Sequence, residues 1–228
     1  MTGIILQARM DSRRLPRKVL QPLAGKPLLQ HAMENLLRVP ADVYAVATDA
    51  ESLPDLTPLC RDCGFGIFAG HPTDVLDRYY HAARHFGLET IVRATGDNPL
   101  VSAEIAVASL QLARESQADY AGLLHPPYGT AVEVLRMTAL EQAYHHAVAG
   151  EEREHVTAYI YRNPQQFRLA LEPAPKAWCN DARVTVDTPE DMEYIRRLFA
   201  ALYTGSPISL DDMIQWCTAH PHSRLKVS

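Results

Sequence analysis

Two adjoining stretches decide the fold: Gly3-Ile4-Ile5-Leu6 and Ala8-Arg9-Met10-Asp11-Ser12-Arg13-Arg14-Leu15-Pro16-Arg17-Lys18. The first is a short apolar run that predicts a buried strand. The second is a loop with four arginines and one lysine that follow no helical or strand period. Arginine offers phosphate oxygens a planar fork of donors, and lysine offers a compact charge. Because open α/β sheets bind ligands beyond the carboxyl ends of their strands, the pattern predicts a triphosphate site. A solvated basic loop is the alternative.

The chain up to Gly122 alternates short apolar runs with amphipathic segments. Strands are predicted at 4–8, 43–47, 65–68, 90–94 and from 119, and helices at 28–37, 53–63, 74–86 and 102–116. Several of the helices have clear boundary signals, such as Ser102 as an N-cap and Gly64 and Gly87 after the last turn. Alternation with short loops predicts an α/β fold with a mostly parallel, doubly wound sheet.

The second half of the chain alternates less regularly. It predicts strands at 132–135, 167–171 and 184–186, and helices at 139–148, 154–162 and 210–219. A further helix begins at Thr188, with Pro189 at its first position. We therefore expect one domain over 1–228, with an α+β elaboration at about 123–180.

Composition narrows the class of protein. The 228 residues are 47% hydrophobic, enough for one sizeable core, and the net charge of -5 argues against a general nucleic-acid binder. No apolar stretch approaches the roughly 18 residues of a membrane-spanning helix. The chain shows no signal-peptide pattern, so we expect a cytoplasmic protein. Its four cysteines include one Cys60-x-x-Cys63 pair without a second pair at zinc-site spacing, which favours ordinary reduced thiols.

Two aspartates directly follow predicted strands: Asp97 in Thr95-Gly96-Asp97-Asn98-Pro99, and Asp187 in Val186-Asp187-Thr188-Pro189. We expect both at the sheet edge that carries the basic loop. A carboxylate pair beside phosphate oxygens suits Mg²⁺, which would neutralise a triphosphate. Taken singly, Asp97 is equally well explained as a turn residue and Asp187 as a neighbour of a helix cap.

Two further blocks carry candidate side chains. Arg78, in Asp74-Val75-Leu76-Asp77-Arg78-Tyr79-Tyr80, can reach a ribose or base, or pair with Asp74 one helical turn away. His155 lies in an acidic stretch, 151–157, that suits a helix N-terminus. It is a candidate acid/base or substrate ligand, with a structural histidine as the alternative.

The string Gln7-Ala8-Arg9-Met10-x-Ser12-x-Arg14-Leu15-Pro16-x-Lys18 resembles the signature of the CTP-dependent cytidylyltransferases. That family includes the CMP-sialic acid and CMP-deoxyoctulosonate synthetases, and the resemblance is closest to its spore-coat polysaccharide branch. Five other blocks match in the same order: 74–79, 93–100, 132–134, 152–160 and 186–191.

The resemblance implies a Rossmann-like nucleotidyltransferase fold of the glycosyltransferase-A type, a three-layer sandwich. It also implies transfer of CMP from CTP to an anionic acceptor, with Mg²⁺ as cofactor and release of pyrophosphate. The implied catalytic residues are Arg9, Lys18, Asp97 and Asp187, with the two aspartates as metal ligands. The implied nucleotide-binding residues are Leu6, Gln7, Ala8, Arg9, Ser12, Arg14, Lys18, Arg78 and Thr95, and the acceptor site comprises Tyr128, Glu133 and His155. A homodimer is expected by analogy alone.

The sequence departs from the branch at a few positions. The loop has Asp11, Arg13 and Arg17 where Gly, Thr and Gly are more frequent, and Ala131 stands where an aspartate usually precedes Val-Glu. The acceptor therefore stays open: a sugar acid, or a small phosphate or phosphonate. The alternatives are a nucleoside-diphosphate-sugar pyrophosphorylase, a glycosyltransferase and a non-catalytic nucleotide-binding protein. The absence of glycine between Ala8 and Lys18 favours cytidylyl transfer over the first of these.

Overall fold

Nine strands and nine helices form in the part of the chain that this computed structural model describes, residues 1–12 and 14–222. The strands are β1 (Thr2–Gln7), β2 (Pro22–Leu23), β3 (Lys26–Pro27), β4 (Val43–Asp49), β5 (Gly66–Gly70), β6 (Thr90–Thr95), β7 (Tyr120–Leu124), β8 (Glu133–Arg136) and β9 (Leu169–Pro173). The helices are α1 (Leu28–Leu36), α2 (Leu53–Asp62), α3 (Val75–His85), α4 (Ala103–Ser116), α5 (Met137–His146), α6 (Gly150–Glu154), α7 (Ala158–Arg162), α8 (Pro189–Leu202) and α9 (Leu210–Ala219). Two 3₁₀ turns lie at Lys18–Leu20 and Lys176–Trp178.

Seven strands make one sheet in the order β5-β4-β1-β6-β8-β7-β9, and β2 pairs with β3 in a separate hairpin. β8 runs antiparallel to both of its neighbours, while the remaining pairs in the sheet are parallel. The register aligns Gln7 of β1 with Ala47 of β4 and with Thr95 of β6. β1 and β6 therefore end level at one edge of the sheet, while β4 continues two residues further, to Asp49. This confirms the predicted α/β, Rossmann-like fold with a mostly parallel sheet.

Helices cover both faces of the sheet and give the three layers. One face packs against α1, α2 and α4, through buried residues such as Met33, Leu56 and Ala106. The other packs against α3, α5 and α7, through Tyr79, Leu140 and Ile160. A third cluster joins α8 and α9 to the extended segment 182–186. None of the helices in the described ranges is both long enough and apolar enough to cross a bilayer.

Two predicted elements were wrong. The segment 184–186 is no strand: its backbone amides donate to two loops, Val184 N to Tyr128 O at 2.8 Å and Val186 N to Asp97 O at 2.9 Å. The predicted helix 154–162 is interrupted between α6 and α7. Val156 there has a φ of 50°, which a β-branched residue adopts only under strain, so the helix cannot continue through it.

Gly96 sets how closely the loop after β6 approaches β1. Its amide donates to Gln7 O at 2.7 Å. A Cβ atom at this position would lie 2.8 Å from Leu29 Cδ1 and 3.0 Å from both Ala8 Cβ and Gln7 O. The position therefore requires glycine, because neither the buried side chain nor the backbone of β1 has room to shift.

We expect Gly96→Ala to lower the free energy of unfolding by about 1–3 kcal/mol, the usual cost of overpacking a buried site. Urea denaturation measures the change. Gly150→Ala is the matched control, since a Cβ there meets nothing within 4 Å and alanine favours the helix. Equal stability of the two variants would contradict the close approach.

Candidate active site

Three side chains from distant parts of the chain meet beyond the carboxyl ends of β1 and β6. Lys18 Nζ donates to Asp97 Oδ2 at 2.9 Å, to Asp187 Oδ1 at 3.0 Å and to Val186 O at 2.9 Å. The Lys18 side chain is 13% exposed, against 28% for Asp97 and 20% for Asp187. The predicted convergence of the two aspartates is therefore present, and a lysine ammonium group lies between them.

Backbone hydrogen bonds hold each aspartate in place. Asp97 is on the loop after β6, where its carbonyl accepts from Val186 N. Asp187 precedes Thr188, the N-cap residue of α8, and its amide donates to Asp191 Oδ2 at 3.0 Å. The same Asp191 oxygen accepts from Thr188 N at 2.9 Å in a capping box. The cap-neighbour interpretation of Asp187 is thus correct for its backbone, while its side chain points to Lys18.

Asp187 is surrounded by cations. Besides Lys18, Arg14 Nη2 lies 3.2 Å from Asp187 Oδ1, and Arg183 forms a close ion pair with Oδ2. Burial acts to raise the pKa of Asp187, but Lys18, Arg14 and Arg183 together lower it. Arg183 also lies over the ring of Tyr128, with its guanidinium carbon 4.6 Å from the ring centroid.

The sequence interpretation missed Arg183. It lies four residues before Asp187, a spacing that suggests contact only in a helix, whereas here the intervening chain is extended. The loop carrying Tyr128 brings the two residues together, because Tyr128 N donates to Ala182 O at 2.8 Å. No local pattern in the sequence signals that pairing.

The basic loop lies at the rim of the cluster. Arg9 is exposed and Ser12 partly exposed, while the Arg14 side chain, 66% exposed, reaches down to Asp187. Met10 N donates to Ser52 Oγ at 2.8 Å and so ties the loop to the N-cap residue of α2. Of the departures from the family pattern, Asp11 is exposed and Arg13 lies outside the described residues.

The other two departures leave the cluster unchanged. Arg17 turns away to Asp55 on α2, with Nη2 to Oδ1 at 2.9 Å, so its charge does not contact the aspartates. Its φ of 55° is left-handed, a conformation that glycine adopts more readily. Ala131 packs against the core of α8 and α9.

The end of β1 offers a buried polar group to a ligand. Leu6 and Ala8 are buried, and backbone groups beside them are already hydrogen-bonded within the protein. Ala8 N donates to Ala47 O, and Gln7 O accepts from Gly96 N. By contrast, Gln7 Oε1 is buried without a hydrogen-bond partner. Thr95, level with Gln7 on β6, accepts from the Asn98 amide at 2.8 Å.

Arg78 is fully buried, and the predicted alternative of an ion pair with Asp74 is wrong. Its Nε and Nη2 donate to His71 O at 2.9 and 2.7 Å, and Nη2 also donates to Pro72 O. Asp74 pairs instead with Arg153, at 2.6 Å. Burial lowers the pKa of Arg78, and its Nη1 has no partner. Arg78 thus fixes the loop after β5.

Glu133, predicted to contact the acceptor, lies in a closed network on the α3/α5/α7 side of the same sheet edge. It forms a close ion pair with Arg93 and accepts from Tyr120 Oη at 2.6 Å and Thr157 Oγ1 at 2.7 Å. Burial acts to raise the pKa of Glu133, but the Arg93 charge and these hydrogen bonds lower it. Glu133 is therefore a paired carboxylate, while Arg93 Nε remains buried without a partner.

The remaining acceptor candidates are accessible. Tyr128 is 64% exposed and His155 is exposed in the turn between α6 and α7. The His155 carbonyl accepts from Thr157 Oγ1 at 3.3 Å, which links this turn to the Glu133 network. The structure thus brings Thr157 to Glu133 and leaves the His155 ring outside the network.

The Asp97 and Asp187 carboxylates fit a divalent cation in donor chemistry. Both lie within 3.0 Å of one nitrogen, so they already bind a cation between them. Magnesium prefers a few carboxylates together with water and phosphate oxygens. No group of three or more His, Cys, Asp or Glu side chains that would hold a metal occurs among residues 1–12 and 14–222. Phosphate oxygens and water would thus have to complete the coordination.

Known proteins resemble this chain over nearly its whole length. The cytidylyltransferase family model matches residues 3–210. Spore coat polysaccharide biosynthesis protein SpsF of Bacillus subtilis is 31% identical over 225 residues, covering 95% of this chain and 94% of that protein. A 3-deoxy-manno-octulosonate cytidylyltransferase of Anaeromyxobacter dehalogenans is 36% identical over 240 residues, covering 87% of this chain and 98% of that protein. A solved cytidylyltransferase from Leptospira borgpetersenii has a TM-score of 0.89 at 26% identity, covering 100% of this chain and 98% of that one.

The Glu133 network predicts a specific acid dependence of stability. Because its pKa is lowered on folding, Glu133 stabilises the fold above its ordinary value of 4.5 and loses that contribution as pH falls. We expect Glu133→Gln to flatten the acid limb of the stability curve. It should also destabilise the protein at neutral pH by about 3 kcal/mol, since Arg93 keeps a buried charge without its partner.

Urea denaturation between neutral and acid pH measures both effects. Glu172→Gln on β9, an exposed position, is the control for loss of one carboxylate. If the Glu133→Gln curve ran parallel to that of the control, the network would carry no such coupling.

Proposed function

Because the chain belongs to the cytidylyltransferase family, we propose that it transfers CMP from CTP to an anionic acceptor and releases pyrophosphate. The acceptor class is a sugar acid, or a small phosphate or phosphonate. One observation carries the proposal: Lys18, Asp97 and Asp187 meet beside an arginine-rich loop at the edge where α/β sheets bind ligands. These are the groups that a triphosphate and its counter-ions require.

The chemistry needs alignment and charge stabilisation. An acceptor oxygen attacks the α-phosphorus of CTP, a new P–O bond forms, and the bond to the β-phosphate oxygen breaks. The acceptor proton leaves to solvent or a base, and the pyrophosphate takes the electron pair. Arg9, Ser12, Arg14 and Lys18 would hold the triphosphate and stabilise the charge that develops on the leaving group. No covalent enzyme intermediate is required.

Asp97 and Asp187 would hold Mg²⁺ together with phosphate oxygens and water. When bound, the ion supplies further neutralisation of the phosphates. The protein's own contribution is positional: the Val186–Asp97 backbone bond and the α8 capping box fix both carboxylates before any ligand arrives. Preorganised charges of this kind need no rearrangement during the reaction.

Gln7 gives the site a means of selecting the base. Its Oε1 is a buried acceptor without a partner. Cytosine presents its 4-amino group as a donor, whereas the uracil ring has a carbonyl acceptor at the same position. An unpaired acceptor at the end of β1 therefore favours cytosine over uracil. Arg78, by fixing the loop after β5, would shape the nucleoside side of the same pocket.

Tyr128, which lies against Arg183, and His155, which is exposed in the turn between α6 and α7, would line the acceptor side. Glu133 would act through others: it holds Arg93 and Thr157 in place, and its paired state excludes it as a free base. Arg93 Nε, which is buried without a partner, would donate toward an anionic acceptor.

We expect CTP with Mg²⁺ to raise the melting temperature more than ATP, GTP or UTP does. A ligand at 100 times its Kd stabilises the native state by about 2.7 kcal/mol.

Gln7→Met should reduce the preference for CTP over UTP about tenfold, because it removes one hydrogen bond of about 1.4 kcal/mol; calorimetry measures the change. Preference of the unaltered protein for another triphosphate would favour a nucleoside-diphosphate-sugar pyrophosphorylase. Tight binding of CTP without turnover would favour a non-catalytic nucleotide-binding protein.

We expect Asp97→Asn and Asp187→Asn each to lower pyrophosphate release from CTP at least about 100-fold, while the fold is retained. A panel of sugar acids, phosphates and phosphonates serves as acceptors, and circular dichroism checks folding. Asp62→Asn, at an exposed position on α2, is the control for loss of a carboxylate. Turnover by either active-site variant at the control's rate would refute the assignment of these carboxylates.

A further inference from the structure

The hydrogen-bonding capacity of Lys18 is completely used. An ammonium group has three donors, and the three acceptors are Asp97 Oδ2, Asp187 Oδ1 and Val186 O. The group is also mostly withdrawn from water, at 13% exposure. It therefore cannot bind a phosphate oxygen without first giving up a bond to the carboxylates.

The cluster also contains more positive than negative charge. Asp97 and Asp187 face three cationic side chains, Lys18, Arg14 and Arg183. A divalent cation that arrives alone meets carboxylates that are already neutralised, and it is repelled by the surplus charge. A triphosphate reverses this balance, because its oxygens accept the cations that the carboxylates release.

We propose, resting on the proposed function, that Lys18 is the internal counter-ion of the carboxylate pair, so that the site accepts a divalent cation only together with a polyphosphate. Lys18, Arg14 and Arg183 are then shared between two sets of anions: the aspartates in the free protein, and the phosphates in the complex. Arg183 thereby becomes a phosphate-binding residue. Metal and polyphosphate must strengthen each other's binding by the same factor, because coupling between ligands is reciprocal.

Arg183 is well placed for this exchange. Its guanidinium carbon lies over the exposed Tyr128 ring, 4.6 Å from the centroid, while the same group makes the ion pair with Asp187. The ring supports the arginine whichever anion it binds, because a cation–π contact does not depend on the carboxylate. Exchange from Asp187 to a phosphate therefore needs no loss of that support.

The test uses inorganic tripolyphosphate, which lacks a base, and measures unfolding temperature and calorimetric binding with the full-length protein. In the unaltered protein, Mg²⁺ alone should leave the melting temperature unchanged. Tripolyphosphate should bind at least about tenfold more tightly with Mg²⁺ than with EDTA, which corresponds to about 1.4 kcal/mol. Stabilisation by Mg²⁺ alone, or equal binding of tripolyphosphate in both conditions, would overturn the proposal.

Lys18→Met tests the counter-ion directly. Without the ammonium group, the two carboxylates lack their shared partner, so Mg²⁺ alone should now raise the melting temperature. Arg17→Met is the matched control: it removes the same charge from the same loop, but Arg17 pairs with Asp55 and not with the cluster. A gain of Mg²⁺ response in both variants would show a general charge effect and would reject the role of Lys18.

Arg183→Gln provides a second variant if Lys18→Met does not fold. It removes one of the surplus charges and should give a smaller response to Mg²⁺ alone; no response would count against the proposal. The outcomes also separate the two proposals. Mg²⁺-dependent binding of tripolyphosphate without preference for CTP would support the counter-ion role of Lys18 and reject cytidylyl transfer. A preference for CTP that does not depend on Mg²⁺ would support cytidylyl transfer and reject the counter-ion role.

Discussion

The ammonium group of Lys18 is the point on which the site depends, because it joins three segments that the fold alone only brings near each other. The 3₁₀ turn Lys18–Leu20, the loop after β6 and the residues before α8 each supply one part of the cluster. Two carboxylates that approach one cation would repel each other without it. The backbone carbonyl of Val186 completes the coordination, so the partly buried lysine has all its donors satisfied and does not carry the cost of an unpaired charge.

A second ionic network, at the same sheet edge, behaves in the opposite way. Glu133 has one cation, Arg93, and two hydroxyl donors, Tyr120 and Thr157, so its charge is balanced. Around Asp187 the cations exceed the carboxylates. A balanced network holds its parts in one arrangement, whereas a network with surplus positive charge gains by binding an anion. The first suits a rigid wall of the pocket, and the second suits the place where phosphates bind.

Local sequence pattern and the direction of the strands were enough to predict the sheet and part of the candidate site. Alternating apolar runs gave the parallel sheet, and the rule that ligands bind beyond strand ends placed Asp97 near the basic loop. Contacts between loops carry no such pattern. Arg183 could not be found because its pairing with Tyr128 and Asp187 depends on an extended segment, 184–186, that the apolar residues Val184 and Val186 made look like a strand. The alternative of an Asp74–Arg78 ion pair failed for a related reason: helical spacing suggested it, but the buried guanidinium donates to backbone carbonyls instead.

Charge distribution explains how one pocket attracts polyanions on an acidic protein. The chain carries a net charge of -5, although the residues from Ala8 to Lys18 include four arginines and one lysine. The rest of the chain is therefore more negative than the whole. Such a surface repels polyanions except at the basic loop, where the field of the cations is concentrated beside the carboxyl edge of the sheet. The arginines of that loop also differ in their partners. Arg17 is bound to Asp55, whereas Arg14 is bound to Asp187, and a phosphate must displace Asp187 in order to bind Arg14. The affinity of the site for polyphosphate is thus set by the difference between two sets of anions competing for the same cations, rather than by the number of cations alone.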